Sequence, residues 1–137
     1  MSLESLRRDQ QNTERDISNC EARIGVINGQ ADELKIIHGD LKNAKRDMKQ
    51  YRTRMRNFSQ ERYTLWAGSL YNNYREYMLG ENQTNCQTVV NKIDENMALV
   101  NNKRTELLNQ LDIQRGLLGR LRAGLRSIVT AITNWVD

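Results

Sequence analysis

Cys20, Cys86 and His38 are the sulfur and imidazole side chains of this 137-residue sequence that could ligate a metal or act as nucleophile and base. Three such groups fall short of the four ligands that close a structural zinc site, so no metal is expected. A single imidazole, with no Gly-x-Ser-x-Gly elbow and no glycine-rich phosphate loop, assembles no nucleophile, base and orienting group. The chain therefore reads as a non-enzyme without a cofactor. The chemistry that does concentrate is cationic. Lys45, Arg46, Lys49, Arg52, Arg54 and Arg56 are opposed between residues 45 and 56 by Asp47 alone, within a chain of net charge +4 and pI near 9.3. Such a stretch attracts acidic partners or nucleic acid.

The elements that must carry these groups are helices. With 38% hydrophobic and 28% charged residues, the composition is that of a structured domain. No proline, one phenylalanine and a mean hydropathy of −0.78 speak against β-sandwich architectures. No apolar run approaches the roughly 18 residues of a membrane span, so no membrane insertion is expected. The opening Met1-Ser2-Leu3-Glu4-Ser5-Leu6-Arg7-Arg8 lacks the apolar segment of a signal peptide. A cytoplasmic protein is expected, exported, if at all, by a route that needs no such leader.

Apolar periodicity divides the chain into two arms. In the first, Leu3, Leu6, Ile17, Cys20, Ile24, Ile27, Ala31 and Leu34 alternate by threes and fours, with Gln10 and Thr13 filling two gaps. The stripe continues through Ile37, Leu41, Ala44, Met48, Tyr51, Met55 and Phe58 after two successive threes, a stammer at which the seam shifts phase. His38 falls there and is expected half-exposed. Gly25, Gly29 and Gly39 mark the middle of the arm as a place to bend or to admit another backbone.

The second arm runs from Cys86 through Val90, Ile93, Met97, Val100, Leu107, Leu111, Leu118, Leu121, Leu125, Ile128, Ile132 and Trp135, interrupted only by polar Arg104 and Gln114. Leu108, Ile113, Leu117, Val129 and Val136 widen its apolar face beyond what one neighbouring helix covers. Leu107, Leu108, Leu111, Ile113, Leu117, Leu118, Leu121 and Trp135 are accordingly the residues expected to meet a partner. Trp135 would either dock there or pack on Leu3 and Leu6.

Between the arms neither phase continues. The pattern predicts one domain over residues 1–137: arm 1 over about 3–64, a reversal at 65–69, and arm 2 over about 70–136 with a kink or short loop at 80–84. Ser69 is the expected N-cap of the second arm. The fold class is all-α, a long antiparallel two-helix hairpin with Trp66 and Gly68 at its apex. A fold-back at residue 67 pairs positions whose numbers sum to about 134. Leu6 then meets Ile128, Ile27 meets Leu107 and Leu34 meets Val100. Arg104 comes level with residue 30, beside Asp32 and Glu33, where a partly buried pair would set register. Cys20 comes level with residue 114 and Cys86 with residue 48. The thiols then stand roughly 40 Å apart at 1.5 Å per residue, too far for a disulfide.

A leaderless, proline-free helical pattern with Trp66-Ala67-Gly68 at its midpoint resembles the WXG family, small helical-hairpin substrates and partners of the Gram-positive type VII secretion system. The opening Met-Ser-Leu-Glu-Ser-Leu, the central Trp-x-Gly and the tryptophan near the C-terminus are most similar to the longer relatives encoded beside LXG polymorphic toxins. The resemblance implies a targeting chaperone that bundles with the helical N-terminal domain of such a toxin, beside a second small helical protein. It also implies a Tyr-x-x-x-Asp/Glu export signal after the second helix. This sequence departs from that pattern, because its match, Tyr77-Met-Leu-Gly-Glu81, lies just past the bend. A partner would then supply the signal. Two other readings compete: a self-associating WXG-type substrate, exported as a homodimeric four-helix bundle, and a basic coiled coil that binds nucleic acid. The second ranks lower, since no nucleic-acid motif accompanies the cations.

Overall fold

The computed structural model describes residues 2–60 and 68–136, and side chains at all of these but 58–60, 69–71 and 136. Its elements are α1 (Leu3–Gln60), α2 (Ser69–Leu79) and α3 (Glu81–Val136), with no strand among the described residues. The all-helical class thus holds. Trp66 and the rest of residues 61–67 lie outside the described residues.

Helix α1 begins under the control of Ser2, whose hydroxyl oxygen accepts from the Ser5 amide at 3.0 Å, satisfying one of the first-turn donors that have no partner within the helix. It continues without a break through Gly25, Gly29 and Gly39. No heavy atom lies within 4 Å of the position a Cβ would take at any of the three. Among the described residues, therefore, no other backbone approaches closely at these glycines, one of the two outcomes expected there.

The start of α2 also differs from expectation. Its N-cap is Gly68, with φ 120° and ψ −174° and no side-chain cap bond, so Ser69 is the first helical residue rather than the cap. That backbone region is essentially open to glycine alone, and the position of the helix start follows from it. At the other end of α2 only Gly80 separates it from α3. The Gly80 amide donates to the Glu76 carbonyl at 2.9 Å, and the Thr84 amide donates to Gly80 at 3.0 Å, so hydrogen bonding carries across the break. The interruption is narrower than 80–84: Asn82 and Gln83 are helical and buried.

Contacts gather into two compact units: Met1–Glu33 with Lys103–Asp137, and Leu34–Asn102. In the first unit Leu6, Cys20, Ala31, Leu107, Leu111 and Leu118 form the core. All six are positions of the three-four stripe, because only a stripe that recurs near the helical period stays against one neighbour. Cys20 Sγ donates to the Gln114 carbonyl at 3.3 Å, and Arg122 pairs with Glu21 at 3.0 Å. In the second unit Met78, Cys86 and Val90 are buried. There Lys45 pairs with Asp94 at 2.6 Å and Arg52 Nε donates to Gln83 at 3.0 Å, contacts that run in opposite numerical order along the two segments. Both cysteines are free and buried, and His38 is half-buried.

Candidate partner-binding surface

In the first unit the seam residues are already used. Leu107, Leu111 and Leu118 are buried and Leu117 and Leu121 half-buried. Leu107, Leu111 and Leu118 thus serve the core of their own unit. What faces outward is Leu108 at 37% exposure, Ile113 at 66% and Trp135 at 57%.

Ile113 is not isolated. With Ala22, Val26, Ile27 and Gln110 it lines an open groove of about 470 Å³ in the first unit. Val26 is 60% exposed. One lip is polar and fixed: Arg23 Nε donates to the Gln114 side-chain oxygen at 3.2 Å, and the Cys20 thiol stands 3.6 Å from that same oxygen. An apolar trough between two helices, with a built polar edge, has the form of a seat for a further helix. Val26 escaped the sequence reading because one apolar residue beside a seam adds no period of its own. Its signal was the doublet Val26-Ile27 beside Ala22 and Gly25 on an otherwise polar flank.

The register pair expected at Arg104 does not form. Among the described residues no ion pair joins Arg104 to Asp32 or Glu33, both of which are exposed. The Nε of Arg104 is buried without a hydrogen-bond partner. Counting along the axis placed these residues level but said nothing of the angle around each helix, and the two acids point to water.

In the second unit the basic stretch separates into two kinds of residue. Arg52 turns to α3, its Nε to Gln83 at 3.0 Å and its Nη1 to Gln87 at 2.5 Å, while Gln83 Nε2 donates back to the Arg52 carbonyl at 3.1 Å. Gln87 in turn donates to Asn91 at 2.8 Å. Lys42, Arg46, Lys49 and Arg54 are exposed, and with Lys45 they border an open groove of about 630 Å³. Tyr77 and Glu81 are both exposed, and Gly80 breaks the helix between them, so they do not share one uninterrupted helical turn.

Among the described residues no group of three or more His, Cys, Asp or Glu is placed to hold a metal ion, and no helix is long and apolar enough to cross a membrane. No protein-family model, curated protein or solved structure matches this chain.

Proposed function

We propose that the chain doubles back at Trp66-Ala67-Gly68 as an antiparallel helical hairpin and acts as a non-enzymatic helical partner. In this reading it binds the helical N-terminal domain of an LXG-type toxin and helps direct it to the type VII secretion system. The fold-back is supported by Cys20 meeting Gln114 and Arg52 meeting Gln83, numbers that sum close to the value a reversal at residue 67 requires. The glycine-only backbone of Gly68 at that point supports it too.

The observation that carries the partner role is the groove around Val26 and Ile113, open beside a seam that is already filled. Fully burying either side chain contributes about 1.5–3 kcal/mol, which a third helix gains and water does not. The split Tyr77/Glu81 pair supports the idea that the toxin or a second small protein completes the export signal.

The test is co-expression with the helical N-terminal domain of a candidate LXG-type toxin, followed by light scattering on the purified material. A stoichiometric complex is expected, and Val26→Glu with Ile113→Glu should dissolve it while leaving the helicity of the isolated chain unchanged. A chain that stays at 16.0 kDa in the presence of that domain would remove the reading.

A further inference from the structure

We propose that the basic groove of α1 between Lys42 and Arg54 is a docking surface for an acidic α-helix. The proposal rests on the reading that this chain bundles with a helical protein and names the chemistry of one helix of that protein.

The groove is built by one helix from two rows of side chains. Lys42, Arg46, Gln50 and Arg54 stand four residues apart along one ridge, and Lys45, Lys49 and Thr53 stand four apart along the next. Five of these seven are cations and none is an acid. Rows at this spacing are the ridges into which another helix fits its own row of side chains. The groove extends over about 18 Å at 1.5 Å per residue, some three turns of a partner.

The charges are largely uncommitted. Lys45 pairs with Asp94 at 2.6 Å, and Arg46 makes a loose contact with Asp47 at 3.7 Å between two well-exposed groups. Lys42, Lys49 and Arg54 form no ion pair among the described residues. Five cations along one ridge-and-groove face call for carboxylates at the same spacing, Asp or Glu every fourth residue. A single-stranded nucleic acid is favoured less, because Tyr51, the aromatic side chain interleaved with the cations, is not among the groove's lining residues and no base has a stacking platform there. Complementarity of this kind sets orientation and association rate.

The probe is a labelled, alanine-based helical peptide with Glu at every fourth position, read by fluorescence anisotropy on the full chain. A control peptide has the same composition with Glu dispersed around the helix, and a single-stranded DNA is tested alongside. The ridge peptide should bind at least tenfold tighter than the dispersed one. Arg46→Glu with Lys49→Glu should cost at least tenfold, and a peptide with Lys in place of Glu should bind that variant instead. Circular dichroism of the variant excludes loss of fold as the cause. Equal binding of the two peptides, no loss in the variant, or tighter binding of the single-stranded DNA would each overturn the proposal. Should the peptide fail while the toxin domain still co-purifies, the groove assignment falls alone. Should the toxin domain fail while the peptide binds, the toxin reading falls instead.

Discussion

The thiol of Cys20, fully buried, donates to the backbone carbonyl of Gln114 at 3.3 Å, ninety-four residues away in sequence. At the exposed edge of this contact Arg23 donates to the Gln114 side chain, so the Cys20–Gln114 layer is polar between apolar layers at Leu111 and Leu118. Neutral hydrogen bonds contribute about 0.5–1.5 kcal/mol net, well below the value of a packed leucine. Gln114→Leu should therefore change stability by less than about 1.5 kcal/mol, while Leu111→Ala should cost about 2–5 kcal/mol by leaving a cavity. Urea denaturation with circular dichroism measures both. A larger loss for Gln114→Leu than for Leu111→Ala would contradict the placement of the core.

Both cysteines are free and buried, so reagents reach them only through opening of the structure. Modification by a thiol reagent should be slow in native buffer and complete at once in denaturant. Rates should rise in Leu111→Ala, and more for Cys20 than for Cys86, because Leu111 belongs to the unit that buries Cys20. Rapid modification of Cys20 in the intact protein would contradict its burial.

Two glycine substitutions should move stability in opposite directions. Gly68 has a φ of 120°, and a side chain there costs about 1–3 kcal/mol, so Gly68→Ala should lower the melting temperature. Gly29 lies inside α1 with nothing near its would-be Cβ, and Gly29→Ala should stabilise by up to about 1 kcal/mol. Calorimetry of the two variants separates them by sign.

Arg52 supplies both the guanidinium that Gln83 and Gln87 accept from and the carbonyl that Gln83 donates to. Truncation to Ala removes the first and strands the buried Gln83 oxygen, a loss of about 1–3 kcal/mol. Lys42→Ala, at an exposed site in the same unit, should lose less than about 0.5 kcal/mol. Comparable losses in the two variants would show that Arg52 belongs to the exposed cationic face rather than to the packing of its unit.

The core was legible because it is periodic. Leu6, Cys20, Ala31, Leu107, Leu111 and Leu118 recur near the helical period, and that recurrence is a property of the chain before it folds. What was missed has no period. Val26 adds a single apolar residue to a flank, and Arg104 was paired by counting along the axis with acids that point around the helix to water. Ser69 looked like a cap by residue type, but the backbone of Gly68 decides where α2 starts. Arg52 read as one more surface cation, and only coordinates show a long side chain turning inward onto Gln83 and Gln87. Periodicity likewise marks a face as apolar without dividing it between the chain's own neighbour and another protein's, which is why Leu107, Leu111 and Leu118, expected at a partner, are found in the core of their own unit.

The fold-back itself is tested most directly by the distance between spin labels at Asn19→Cys and Arg115→Cys, both exposed positions of the first unit, in a Cys20→Ala, Cys86→Ala background diluted with unlabelled protein. Helices packed side by side have axes about 8–10 Å apart, so with the reach of the labels a narrow distribution at roughly 15–30 Å is expected. One continuous rod would separate the sites by about 140 Å at 1.5 Å per residue, beyond the range of dipolar coupling. Absence of coupling would contradict the account.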